Sequence, residues 1–275
     1  MWTIAHLTLV DARRKRIVAA AALCGAGYLL LYGTAMLLAA RTMDQSHTSL
    51  LQRQLNLAAF TIAGCYAGNI LASLFAVLLP VDALSGEIDS GVMQTIASKP
   101  LRRSDIVLGK WLGHGIIVIG YTLAILAGVF LSARLLGGYV PVDIVRIVLL
   151  MLLEVVVLLT VSIAGGTRLS TVTNGVVACG YFGLAFIGGV IEQIGTVSGI
   201  QSARNLAVAA SLISPSDALW RLGAYYLAPG SVRDLLAAAP FGAASVPNAL
   251  MVWWAAGLTL VLLAWAVRQF SRRAL

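Results

Sequence analysis

This sequence encodes an all-α, polytopic membrane protein with six spans, and three observations predict it. Hydrophobic residues make up 60% of the 275 residues and charged residues only 11%, whereas a soluble domain carries about 25% charged residues. The mean hydropathy is +0.92, so the chain cannot cover a water-facing surface and the bilayer must act as its solvent. The apolar residues are gathered into six runs close to the roughly 20 residues that a helix needs to cross hydrocarbon. The net charge of +8 then reads as the basic bias of membrane-flanking loops and not as a nucleic-acid surface.

Taken in order, residues 1–16 predict a short interfacial helix. Trp2, Ile4, Leu7, Leu9 and Val10 supply its apolar side, and Arg13, Arg14, Lys15 and Arg16 sit among lipid head groups. No cleavable signal is expected, because the first apolar run is too long for a signal core. Span 1 covers about 17–40 and is followed by a polar loop at 41–56. In that loop Met43 and His47, at i and i+4, are two soft ligands and too few for a metal. Span 2 covers about 57–81 and carries Gly64 and Gly68, a G-x-x-x-G that permits close helix contact, with Asn69 beside it. Span 3 covers about 106–133, with Gly109 and Gly113 as a second such pair and His114 next to it. Span 4 covers about 147–166, with Glu154 near its middle, and the polar turn TRLSTVTN separates it from span 5 at about 172–191. The external segment 192–247 holds Pro215, Pro229, Pro240 and Pro247. Its apolar pieces, Leu206–Ile213 and Leu235–Ala244, are too short to span and predict re-entrant or surface helices. Span 6 covers about 248–267. Cys24, Cys65 and Cys179 lie within apolar runs and read as packing residues.

The larger share of the 19 Lys and Arg residues falls on the side that holds both termini, Lys99, Arg102, Arg103, Lys110 and Arg168. The positive-inside rule makes that side cytoplasmic. The loop 82–105 is then the largest cytoplasmic connection. Within it, Ser85 to Ala97 has helical periodicity, with Ile88, Val92 and Ile96 on one face. Pro100 ends that helix, and Ser104 caps span 3 with Asp105 in its first turn.

The run GEIDSGVMQTIASKPLRRSDIVLGKWLG resembles the signature loop of type-2 ABC transporter permeases, the ABC-2 membrane subunits. Glu87, Gly91, Ser98, Pro100, Arg103, Ile106, Gly109 and Lys110 fall on the family pattern. Val92 departs from it, standing where Thr or Ser is usual, and Ile96 or Ala97 stands where Leu is usual. A weaker likeness, over Leu108–Gly115 and Ser214–Arg221, is to the permease of the copper-maturation transporter that serves nitrous-oxide reductase. The resemblance implies a single transmembrane permease domain over 1–275 in a bacterial cytoplasmic (inner) membrane. It implies that 82–105 is a coupling loop whose helix docks on a separate ATPase subunit, with Glu87, Gly91, Pro100, Arg103 and Lys110 at that interface. Two ATPase copies and a second permease copy, identical or homologous, would complete the unit, surrounded by lipids and working as an exporter. No cofactor is expected on this chain. ATP and Mg would sit on the partner, since no G-x-x-x-x-G-K-[ST] phosphate loop occurs here.

Three interior residues are translocation-path candidates: Glu154, Asn69 and His114. A mid-bilayer carboxylate costs about 3 kcal/mol unless it faces protein or water, so Glu154 points inward and pairs with a polar neighbour such as Asn69. His114 reads first as a hydrogen-bonded interface residue. Asp217 and Arg221, at i and i+4, predict an internal salt bridge in the external segment. Two other readings stand beside the permease: an intramembrane enzyme with Glu154 or His114 as acid or base, and a non-transporting anchor for a cytoplasmic partner. No metal site and no catalytic triad is expected.

Overall fold

The structure, a computed structural model, describes residues 1–45, 49–91, 102–230, 233, 235 and 245–272. Among these residues the secondary structure is all helical. Six helices are long and apolar enough to cross a membrane: α2 (Arg16–Gln45), α3 (Leu50–Leu78), α5 (Arg103–Gly137), α6 (Ile144–Gly166), α7 (Thr171–Val197) and α10 (Leu250–Arg272). The shorter helices are α1 (Trp2–Arg14), α4 (Ser85–Asp89), α8 (Gln201–Ile213) and α9 (Ser216–Leu227).

Several boundaries move from those expected. The polar loop at 41–56 shrinks, because α2 runs to Gln45 and α3 begins at Leu50 with the Ser49 side chain accepting from the Gln52 amide. The polar residues there ride on helix ends, with Arg53 and Asp44 paired at 3.0 Å. At the start of α5 the N-cap is Arg102 and no side chain caps it, so Ser104 lies inside the helix; Asp105 is in the first turn as expected. The C-terminus of α5 is closed by Gly138 in the left-handed conformation at φ 65°, a geometry that glycine adopts without steric cost. Thr171 to Asn174 belong to the first turn of α7, which reduces the expected turn to a few residues.

Of the expected helix Ser85–Ala97, the described part is α4 and the turn after it. α4 ends at Asp89, Ser90 closes the turn, and Gly91 sits at φ 75°. A positive φ at this point breaks the helical path that the apolar spacing suggested. Val92, Ile96, Lys99 and Pro100 lie outside the described residues, as do His47 and most of Leu235–Ala244.

α3 and α6 are the most enclosed spans, and α2 and α10 the least. Two of the apolar clusters follow one another along the bundle. One gathers Met36, Leu57, Ile62, Leu126, Met151 and Trp220. The other gathers Phe75, Leu84, Ile106, Leu158, Ile163 and Phe270. α3, α5 and α6 contribute to both. Where one cluster gives way to the other, α3 places Asn69, α5 places Thr122 and α6 places Glu154.

Candidate functional site

The segment with the family signature is anchored by ion pairs that join distant parts of the chain. Glu87 of α4 accepts a hydrogen bond from the Nζ of Lys110 of α5 at 2.5 Å. Lys110 is 6% exposed, and a buried ammonium is tolerated only with a partner of this kind. Lys15, at the elbow between α1 and α2, donates to Asp82 in the turn before α4 at 2.6 Å. The N-terminal amine lies 4.0 Å from Asp105. The Glu87–Lys110 and Lys15–Asp82 pairs border a cleft of about 240 Å³ whose lining includes Thr8, Asp11 and His114.

α1 is held on α5 by small residues. Ala5, Thr8 and Ala12 are its buried positions, while Trp2 and Leu7 face outward. The α5 surface beneath is Gly109 and Gly113. A Cβ on Gly109 would fall 2.7 Å from the Ile4 Cβ, and one on Gly113 would fall 2.7 Å from the Thr8 Cβ. The second G-x-x-x-G is therefore a seat for the N-terminal helix. The first, Gly64 and Gly68 on α3, receives side chains: Tyr28 and Tyr32 of α2 and Ile125 of α5 fill the space above it.

Three further residues, Ser85, Asn174 and Arg103, fasten this end. Ser85 bonds the Val81 carbonyl and meets the Thr171 hydroxyl at 3.0 Å. Asn174 donates to the carbonyls of Val81 and Ser162, at 3.0 and 2.9 Å. Asn174 thus satisfies two buried acceptors on neighbouring elements, and its own side chain occupies the space above Gly165. Arg103 donates to the Ser271 carbonyl at the end of α10, at 3.2 Å.

The expected interface residues therefore fall into different settings. Glu87 and Lys110 are joined to each other, with Lys110 buried. Arg103 reaches α10, Gly91 ends α4, and Pro100 is outside the described residues.

Glu154 is 1% exposed and accepts from Asn69 Nδ2 at 3.0 and 3.1 Å, one bond to each carboxylate oxygen. The Ser73 hydroxyl donates a third bond at 3.1 Å. Asn69 and Ser73 are one helical turn apart on α3. Ser73 was legible from this i, i+4 spacing once Asn69 was chosen. His114 is buried too, but its Nδ1 lies 2.9 Å from the Lys110 carbonyl. It borders the α1–α4–α5 cleft, while Glu154 borders a separate small cavity with Asp217. Glu154 and His114 therefore line different cavities and do not form one site.

In the 192–247 segment Asp217 accepts from Arg221 Nε at 2.7 Å, as the i, i+4 spacing predicts. The same guanidinium reaches Glu192, near the end of α7, at 2.6 Å. Glu192 was missed in the sequence; a lone acid in the last turns of an apolar span was the available signal. Burial pushes the Asp217 carboxyl up to about 6, against the lowering effect of Arg221. An adjacent cavity of about 430 Å³ is bordered by Glu192, Ser211, Arg221 and Trp254. Among the described residues no group of three or more His, Cys, Asp or Glu side chains gathers at metal-ligand spacing.

Comparison with known proteins agrees with the signature loop. The sequence matches the family model described as ABC-2 family transporter protein over residues 2–275. It is 35% identical over 128 residues to a probable ABC transporter permease protein NosY of Stutzerimonas stutzeri, covering 46% of this chain and 42% of that protein. It is 34% identical over 141 residues to a probable ABC transporter permease protein NosY of Pseudomonas aeruginosa, covering 51% and 47%. The match spans about half the length of these curated relatives. With the signature on α4 and α5, six spanning helices and a family match over nearly its whole length, the chain belongs to the ABC-2 transporter family, the membrane permeases of ATP-binding cassette systems.

Proposed function

We propose that this chain is the membrane-spanning subunit of an ABC exporter of the cytoplasmic membrane, driven by ATP hydrolysis on a separate chain. One observation carries the reading: the signature segment is tied to the rest of the bundle at several points. Glu87–Lys110 connects it to α5, Lys15–Asp82 connects the preceding turn to the α1–α2 elbow, and Ser85–Thr171 connects it to α7. A push on the loop 82–105 from an ATPase would thus be delivered to three spans at once. In this reading 82–105 faces the cytoplasm with both termini, α1 lies at the lipid interface, and 192–247 is external. The working unit has two ATPase subunits and two permease copies.

The cargo would pass between the two permease copies, beside α2, α3 and α7. Glu154, Asn69 and His114 stand behind that path, inside one bundle, and would contribute by holding the spans in register. Gly91, Pro100 and Arg103 remain proposed contacts or shapers of the docking loop. The Glu87–Lys110 pair is proposed as the internal link that makes the loop rigid.

Co-purification tests the partnership. An ATPase subunit is expected to come down with the tagged chain. In the complex, Glu87→Ala is expected to leave assembly intact and to uncouple ATP hydrolysis from transport. A Glu87→Ala complex with unaltered coupled activity would refute the role given to the pair. The mutual loss of partner and activity on deleting α4 would not distinguish coupling from docking, so the point variant is the decisive one.

A further inference from the structure

A second feature sits deeper in the bundle and is independent of the ATPase partnership. Glu154 of α6 and Asp217 of α9 border the same cavity, of about 20 Å³. That is room for a single water-sized occupant. The remaining walls are largely apolar and include Ala185 and Phe186 of α7 and Trp220 of α9. Asn69 of α3 borders it too, is 4% exposed, and its Oδ1 has no hydrogen-bond partner among the described residues. The polar groups brought to this space are therefore mainly oxygen acceptors: two carboxyls and an amide carbonyl.

The charges around it are unequal. Asp217 is matched by Arg221, which also holds Glu192 of α7. Glu154 receives hydrogen bonds from Asn69 and Ser73, and no cation lies within ion-pair distance of it among the described residues. Tyr66 of α3 is the further titratable group bordering the cavity. Neutral donors do not balance a full negative charge in a low-dielectric interior. Asp217 is bonded to Arg221, which borders the 430 Å³ cavity among α7, α8, α9 and α10.

We propose that the Glu154–Asn69–Asp217 cavity binds one water-sized positively charged species, a sodium-sized cation or a hydronium, and that Arg221 and Glu192 lie on its route in from that larger cavity. The two carboxyls and the Asn69 amide oxygen suit a hard monovalent cation. They equally suit a proton shared between the two carboxyls through one water. Burial raises the Asp217 carboxyl against the lowering effect of Arg221, a direction that suits the second occupant.

The test measures thermal unfolding of the full chain purified in detergent. The probes are sodium chloride against choline chloride at equal ionic strength, and pH between about 5 and 8. A bound sodium ion raises the midpoint of the wild type by about 3–6 °C when its concentration is tenfold above its dissociation constant. A proton stabilises instead at low pH. The midpoint of the wild type then falls with rising pH relative to Glu154→Gln, because a proton taken up on folding is lost as pH rises. Either response supports the proposal if it vanishes in Glu154→Gln and in Ala185→Val. The Ala185→Val variant keeps every polar group and fills the cavity, so it also serves if Glu154→Gln does not fold. The proposal is overturned if the wild type responds to neither probe, or if Ala185→Val responds like the wild type. Failure here leaves the permease reading untouched, since that rests on α4 and its links.

Discussion

Replacing Gly113 by alanine tests whether α1 is built into the bundle or merely lies beside it. The new Cβ would stand 2.7 Å from the Thr8 Cβ and 2.9 Å from the Ala5 carbonyl oxygen. Carbon atoms in contact rest about 3.5–4.0 Å apart, so α1 must retreat by about 1 Å. Its backbone oxygen cannot move without the whole helix, and overpacking of this kind costs about 1–3 kcal/mol. Alanine returns up to about 1 kcal/mol through helix propensity, so the net loss is smaller than the clash. Gly120→Ala supplies the reference, because a Cβ there meets nothing within 4 Å. Gly120→Ala gains the propensity without the collision. The difference between the two variants is then the clash alone, a melting temperature roughly 3–10 °C lower for Gly113→Ala. Thermal unfolding of the purified protein measures it, and trypsin reports the cause: a displaced α1 loosens the backbone at Arg13, Arg14, Lys15 and Arg16, whose side chains already lie at or near the surface, and opens it to cleavage. Equal midpoints and equal cleavage in the two variants would refute the seating of α1 on Gly109 and Gly113. The double variant Gly109→Ala/Gly113→Ala is expected to lose less than the sum of the singles, since both push the same helix the same way.

Other perturbations follow from the buried pairs. Arg221→Met removes the guanidinium shared by Glu192 and Asp217, with an expected loss of about 3–5 kcal/mol in a chemical unfolding series; Arg221→Lys should recover only part of it, since lysine lacks the planar fork. A Cβ at Gly189 would collide with the Asp217 carboxylate, so Gly189→Ala should lower the melting midpoint as strongly as Asp217→Asn, and the two changes combined should be no worse than one. Asn174→Ala strands the Val81 and Ser162 carbonyls, at about 1–3 kcal/mol, and hydrogen exchange should rise first in the turn before α4. Lys110→Met should tolerate loss of the pair better than Glu87→Gln does, because Glu87 is the more exposed partner while Lys110 is left buried without a counter-charge; equal midpoints would show that the pair contributes nothing to folding.

What the sequence determined by itself was whatever depends on composition and local order. Six apolar runs require six helices, because hydrocarbon cannot satisfy a free backbone amide. The contiguous signature from Glu87 to Lys110 pointed to the family, and the i, i+4 spacing of Asp217 and Arg221 predicted their bond. Glu154 was singled out because a lone mid-span carboxyl must be compensated, and Asn69 was its expected neighbour. The tertiary structure decided everything that joins separate segments. Glu87 and Lys110 both looked like docking residues in the sequence, yet folding α4 onto α5 turns them toward each other. Gly109 and Gly113 announced a close contact without naming its partner, and that partner proved to be α1. Gly91 stood inside a good helical pattern, but its positive φ ends α4, a backbone choice that side-chain periodicity does not register. Glu192 and Asp217 share one arginine because α7 and α9 lie side by side, and Glu154 meets Asp217 across a cavity because α6 packs on α9. Such meetings depend on how helices pack, a global outcome of shape and volume, and no local spacing records it.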